Sequence, residues 1–178
     1  MKVLAIRGCN LASIEGEFEV DFARSPLSDC GLFAISGPTG AGKSTLLDAL
    51  CLALYHNTPR LLMATERDIK IPDTGIQDIS PQDPRNLLRR GCGNGFAEVD
   101  FVGIDGASWR ARWEVRRARE RPNGKLQNAS VRLESLDGRT IVAEQQRDTA
   151  SAIEARVGLS FDQFRRAVLL AQNEGQAE

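Results

Sequence analysis

Gly37-Pro38-Thr39-Gly40-Ala41-Gly42-Lys43-Ser44-Thr45 fits G-x-x-x-x-G-K-[ST], the spacing of a phosphate-binding loop. Its setting agrees. Gly31-Leu32-Phe33-Ala34-Ile35-Ser36 upstream is short, apolar and bounded by glycine, the pattern of a buried strand, and Lys43 to His56 downstream reads as a helix. Gly37, Gly40 and Gly42 reach backbone angles closed to other residues and hold no side chain against a phosphate. The loop's N–H groups then converge on phosphate oxygens at the positive end of the helix dipole. Lys43 supplies a compact cation for β- and γ-phosphates, and the Ser44 hydroxyl is a hard ligand for Mg²⁺.

Upstream of the loop, Lys2 to Cys9 reads as a strand, Asn10-Leu11-Ala12-Ser13 as a turn, and Gly16 to Phe22 alternates with Phe18, Val20 and Phe22 on one face. That pair predicts a half-exposed antiparallel hairpin. Downstream, Leu46, Leu47, Leu50, Cys51, Leu52 and Leu54 make the helix apolar on most sides, which implies burial. His56, the single histidine, has no partner motif near it and reads as a surface or cap residue rather than a catalytic base.

Positions 57–90 show no sustained period and are broken at Thr58-Pro59, Ile71-Pro72, Ser80-Pro81 and Asp83-Pro84, so a mobile excursion is expected, with one helical turn near Asn86 to Arg90. Arg85, Arg89 and Arg90 read equally as phosphate-facing cations or as a solvated run. Positions 95–136 predict an antiparallel meander. Its first strand runs from Phe96 to Val102, its second from Ser108 to Arg116, with Trp109, Ala111, Trp113 and Val115 on one face, and its third passes through Val131 and Leu133. Asp105-Gly106 is read as a hairpin turn, not as a magnesium-holding aspartate, because glycine follows where a hydrolytic site wants glutamate. Arg110 to Arg121 carries six arginines against two glutamates, an excess of +4. Arg110, Arg112, Arg116, Arg117 and Arg119 are therefore candidate DNA-backbone contacts, with a charge-protected hairpin edge as the alternative.

Ala150 to Val157 predicts a helix capped by Gly158, and Ser160 starts a second, short one. Ala167 to Ala171 is apolar and reads as a strand ending in Gln172, whose amide can ligate Mg²⁺ or hold an attacking water. The 178 residues suggest one domain, and a net charge of −1 gives no global pull towards nucleic acid. The cysteines, Cys9, Cys30, Cys51 and Cys92, form no C-x-x-C pair and suit a reducing compartment. A charge at Lys2 and again at Arg7 is too early for a signal peptide, and no apolar run approaches the ~20 residues of a membrane helix, so a cytoplasmic protein without a membrane partner is expected.

Several spaced segments carry a resemblance: Asn10 to Ser13; Gly31 through Thr45; Leu46-Leu47-Asp48-Ala49-Leu50; Thr58-Pro59-Arg60-Leu61; Ala97 to Phe101; and Arg165 to Gln172. Together they resemble the N-terminal part of the SbcC-type ATPases, in the SMC-like, Rad-type branch of the ABC ATPases. The resemblance covers positions 1–174, with 175–178 as a tail that departs from the family pattern. It implies a P-loop NTPase of α/β class: the N-terminal lobe of an ABC-type head, with a mixed sheet and an antiparallel β subdomain. By position it implies that Gly37 to Thr45 bind ATP, that Ser44 and the Q-loop glutamine Gln172 hold Mg²⁺, that Lys43 and Gln172 serve catalysis, and that Asn10 and Ser13 lie near the nucleotide. Relatives often carry arginine near Ala12, which leaves that contact here to backbone or Ser13.

No serine-glycine-glycine signature, second Asp-Glu strand or heptad repeat is present. The resemblance places these in a C-terminal half beyond a coiled coil, so the chain is expected to be a fragment, inactive alone. The implied whole is an ATPase pairing with a second head and an SbcD-type nuclease. It would act on double-stranded DNA as exonuclease and hairpin endonuclease in repair, recombination and replication. A DNA-binding scaffold with a structural nucleotide, or another ABC-type ATPase, is the alternative.

Overall fold

The structure is a computed structural model that describes residues 1–30, 34–62, 71–73 and 77–168. Its centre is a sheet in which β1 (Lys2–Leu11) takes partners on both sides. Ile6 faces Val20 of β2 (Ile14–Asp21) on one edge and Val99 of β5 (Asn94–Val102) on the other. The hairpin and the meander, expected as separate pieces, are thus one six-stranded sheet of order β2-β1-β5-β6-β7-β8, completed by β6 (Ser108–Arg116), β7 (Ser130–Ser135) and β8 (Ile141–Ala143). All of its pairings are antiparallel. The short β8 goes unmarked by any sequence pattern.

The alternation seen in the sequence sorts this sheet. Ala97, Val99, Phe101, Ala111, Trp113, Val115 and Leu133 are at most 1 % exposed and face the helices. α1 (Lys43–Tyr55) lies against them and is buried almost all round from Ala49 to Leu54, as its apolar run predicts. α3 (Gln146–Val157) covers the β7–β8 side and ends at Gly158 in the left-handed conformation.

α4 (Phe161–Val168) starts on a reciprocal cap: Gln163 N donates to Ser160 Oγ at 3.3 Å, and Ser160 N donates to Gln163 Oε1 at 2.9 Å. Ala167 and Val168, the first two residues of the expected strand, therefore continue a helix, since nothing between the cap and Val168 breaks the turn, and Leu169 to Ala171 lie outside the described residues. The Tyr55 hydroxyl donates to Leu159 O at 3.1 Å, and its ring sits 5.2 Å from that of Phe164, which ties the end of α1 to the start of α4.

The other departures lie in the connections. Ala34 to Ser36 are exposed and in no strand, and Gly31 to Phe33 lie outside the described residues. An apolar strand needs hydrogen-bonded neighbours, and Ala34 to Ser36 pair with no strand among the described residues. The expected mixed sheet thus has no parallel pair among the described residues. The 57–90 stretch is not bare loop: it holds α2 (Pro59–Leu62), the antiparallel pair β3 (Ile71–Asp73) and β4 (Gln77–Ile79), and a 3₁₀ turn at Pro84–Leu87, slightly earlier than the expected helical turn. Leu61, Ile79, Leu87 and Leu88 from this stretch are buried. His56 caps α1 as expected, in the left-handed region, but is only 8 % exposed rather than on the surface.

Candidate nucleotide-binding site

The loop meets α1 through Gly42, which sits in the left-handed region at φ 89° as the helix N-cap. Its carbonyl accepts from Thr45 N at 3.0 Å and Leu46 N at 3.2 Å, so the first helical turn is formed and the loop ends at the positive pole of α1. Residues 37–41 are exposed, and Ala41 N donates to Pro38 O at 3.1 Å to close the turn. Lys43 folds back over it: Nζ donates to Gly37 O at 2.5 Å and to Pro38 O at 2.8 Å. The ammonium is therefore held across the mouth of the loop by oxygens. Phosphate oxygens at the same place would make the same charge-assisted bonds. Ser44 is exposed in the first turn of α1, while Thr45 is buried.

Thr45 is buried because the turn after β1 packs on it. Ser13 Oγ lies 3.2 Å from Thr45 Oγ1, and Ile14 packs so closely on Gly42 that a Cβ there would stand 2.8 Å from it. Ser13 is thus brought to the loop. The Asn10 side chain is spent on the sheet: Nδ2 donates to Asn94 O at the start of β5 at 3.0 Å, and Oδ1 accepts from Gly16 N of β2 at 2.9 Å.

Arg89, which sequence alone leaves between two roles, has a definite one here. Its Nη1 donates to Ser13 O at 3.1 Å and Ala12 O at 3.4 Å, its Nη2 reaches Glu15 at 3.4 Å, and its backbone N donates to Asn10 O at 2.8 Å. A guanidinium 76 residues away in sequence braces this turn. The only sequence signal for it is the basic run itself. Ser13, Arg60, Arg89 and Arg90 line a cleft of about 700 Å³ beside the loop, and among the described residues the exposed Arg90 has no hydrogen-bond or ion-pair partner.

Behind the loop, Asp48 on α1 is 5 % exposed and paired with Arg60 Nη2 at 2.6 Å. Burial pushes its carboxyl above the usual range, against the pull of Arg60. Burial likewise holds His56 down to about 4. Gln172 lies outside the described residues. Among those described, no group of three or more His, Cys, Asp or Glu side chains is placed to hold a metal ion, and the Ser44 hydroxyl stands exposed at the helix start. A helix-start hydroxyl, an ammonium on the loop and exposed loop N–H groups fit a magnesium–triphosphate.

The arginine face is a different matter. Arg110 donates from Nε and Nη2 to Asp100 at 2.7 and 2.8 Å. Arg112 pairs with Glu98 at 3.0 Å and Glu114 at 3.1 Å, and Arg116 with Glu114 at 2.5 Å. Arg117 donates to Gly124 O at 3.1 Å. The strand arginines proposed for DNA thus have their charge met by carboxylates of the same face, a cancellation that a count along β6 misses because Glu98 and Asp100 sit on β5. Asp105 organises its turn as expected: it accepts from Ala107 N at 3.0 Å and from the Trp109 indole N–H at 3.1 and 3.2 Å.

A phosphate loop feeding the N-terminus of a buried helix, backed by a sheet, defines a P-loop ATPase domain. The AAA domain family profile matches residues 5–178, and the chain belongs to that family. Its sequence is similar to the SbcC component of the SbcCD nuclease from Pseudomonas aeruginosa, 56 % identical over 178 residues, and from Rhodobacter capsulatus, 46 % identical over 177; each match takes in 99 % of this chain and 14 % of the relative. It is also similar to the DNA double-strand break repair Rad50 ATPase of Methanopyrus kandleri, 29 % identical over 146 residues, 81 % of this chain and 14 % of the relative. The chain thus spans about 14 % of the length of these relatives. No helix among the described residues is long and apolar enough to cross a membrane.

Proposed function

We propose that this chain is the N-terminal, ATP-binding part of a DNA-repair ATPase head of the SbcC and Rad50 kind, working in the cytoplasm. The observation that carries this reading is the exposed loop of residues 37–41 leading into α1, with Lys43 folded over its mouth. In this reading Gly37, Pro38, Thr39, Gly40, Ala41, Gly42, Lys43, Ser44 and Thr45 cradle the triphosphate. Ser44 and Gln172 hold Mg²⁺, Ser13 borders the nucleotide, and Asn10 shapes the turn that presents Ser13. Magnesium would neutralise developing phosphate charge; Lys43 orients the terminal phosphates and Gln172 a water.

The shape of the surface supports a second part to this head. A groove of about 390 Å³ runs between α1 and the β1–β2 face, lined by Val3, Ile6, Phe22, Ile35 and Leu47, and Ile35 and Leu47 are 47 % and 42 % exposed. It lies beside the unpaired Ala34 to Ser36. The C-terminal half of the longer protein would cover it and give that segment its strand partners. A second head would complete each active site, and an SbcD-type nuclease would use the closure to gate cleavage of double-stranded DNA.

The 178-residue chain alone is expected to bind a fluorescent ATP analogue weakly and to hydrolyse ATP negligibly. Lys43→Ala should abolish the binding, and adding the C-terminal half should raise turnover. Rapid Mg²⁺-dependent, Lys43-sensitive turnover by the chain alone would overturn the two-part site.

A further inference from the structure

The β6–β7 connection is built differently from the arginine face beside it. Arg119 and Glu120 both stand in the left-handed region, at φ 59° and 52°, which consecutive non-glycine residues seldom do. The loop is nonetheless tied down. Arg117 N donates to Gly93 O at 2.7 Å, Ala118 N to Lys125 O at 2.8 Å and Gly124 N to Arg121 O at 2.8 Å, and a Cβ at Gly93 would collide with the Glu120 carbonyl.

The distribution of charge on this loop is uneven. Its one acid, Glu120, is turned back onto the sheet, where it accepts from Asn94 Nδ2 at 3.3 Å and pairs with Arg116 at 3.5 Å. Arg119, Arg121 and Lys125 are exposed, and among the described residues none of the three has an ion pair or a side-chain hydrogen bond. In a chain of net charge −1 whose strand arginines are neutralised in place, three unpaired cations gathered on one pinned loop make a local positive cluster.

We infer that the loop tip carrying Arg119, Arg121 and Lys125 is a contact for the phosphodiester backbone of duplex DNA, and that Arg110, Arg112 and Arg116 are structural instead. This rests on the DNA-repair reading above. A pinned backbone presents the three cations side by side, which suits a partner whose anions are regularly spaced. They touch phosphates and not base edges, so the binding is independent of sequence and falls with salt.

The test uses the full-length protein and a short labelled duplex, read by fluorescence anisotropy across a salt series. The variant is Arg119→Asn with Arg121→Gln and Lys125→Gln; asparagine tolerates the left-handed backbone, so the fold is kept. Duplex affinity should fall on the order of tenfold at low salt, and the slope of log affinity against log salt should become shallower by roughly 2.7. Arg119→Lys should retain both. An unchanged slope in the triple variant overturns the inference. So does unchanged duplex binding with lost association to a nuclease partner, which would make the tip a protein contact. ATP-analogue binding is read on wild type in the same preparation: its absence would sink the nucleotide reading and leave the tip result standing.

Discussion

The Ser13 hydroxyl lies 3.2 Å from that of Thr45, so the turn after β1 and the first turn of α1 are joined side chain to side chain. Thr45 is 1 % exposed, and its hydroxyl has little access to water in exchange. Ser13→Ala should cost about 1 kcal/mol in urea unfolding, a lost hydrogen bond with its partner left buried. Thr45→Val keeps the shape and leaves the accessible Ser13 to water, so it should cost less. If Thr45→Val proves the more damaging, the bond does not hold the two turns together.

Arg89 should matter through its shape more than its charge. Its Nη1 reaches two carbonyls of the 10–13 turn while its Nη2 reaches Glu15. A lysine is a single point donor and cannot span these. Arg89→Lys should therefore behave like Arg89→Ala, each losing about 1 kcal/mol and weakening binding of an ATP analogue. Full rescue by lysine would show that only charge is needed there.

The carboxylates under the arginine face are expected to hold the sheet. Asp100 is 4 % exposed and accepts from both Arg7, at 2.7 Å, and Arg110. Those guanidiniums outweigh burial and hold its carboxyl below the usual range. Asp100→Asn leaves Arg7 and Arg110 to Glu19 and Glu98 alone and should cost about 2 kcal/mol, measured by chemical denaturation. Arg110→Glu sets a third acid beside Asp100 and Glu98 and should unfold the sheet rather than selectively remove DNA binding. A folded Arg110→Glu protein with normal melting would make Arg110 a candidate DNA contact again.

Much of this was legible in the sequence because it is local. The loop spacing, the apolar α1, the alternation of β5 and β6, the Asp105-Gly106 turn and the Gly158 cap each announce themselves within a dozen residues. What was not legible depends on distant partners. Val99 and Val20 both pair with Ile6, which merges hairpin and meander, and no local pattern encodes that. The charge count along Arg110 to Arg121 predicts an open basic patch, whereas cross-strand Glu98 and Asp100 cancel much of it. Ala167-Val168 has the composition of a strand, but the Ser160 cap had already set it turning as a helix.

His56 predicts a pH dependence. Unfolded, an imidazole takes its proton near 6.5; folded, burial holds this one to about 4. Between those values the unfolded chain binds more protons, so stability is fully present above 6.5 and declines as pH falls towards 4. The loss is on the order of 3 kcal/mol at its limit. Asp48 works the other way, since a raised carboxyl favours the fold at lower pH. The comparison is therefore made within a variant. His56→Asn keeps a residue tolerant of the left-handed cap, and its unfolding free energy should lose the decline between pH 6.5 and 4. An identical pH profile in the variant would mean that His56 is free to charge in the fold.

Gly40 and Gly42 separate strain from collision in the phosphate loop. Both are left-handed, at φ 85° and 89°. A Cβ at Gly40 meets nothing within 4 Å, whereas one at Gly42 would stand 2.8 Å from Ile14. Gly40→Ala therefore carries backbone strain alone, about 1 kcal/mol. Gly42→Ala adds the displacement of Ile14 from the helix start, and with it the Ser13 contact to Thr45, for a total loss of roughly 3 kcal/mol. Melting temperature should rank wild type above Gly40→Ala above Gly42→Ala. Replacing Ile14 with valine or alanine in the Gly42→Ala background should recover part of the deficit by making room for the new methyl. If the Ile14 change recovers nothing, the damage comes from the backbone conformation at Gly42 and not from the packing of β2 on the loop.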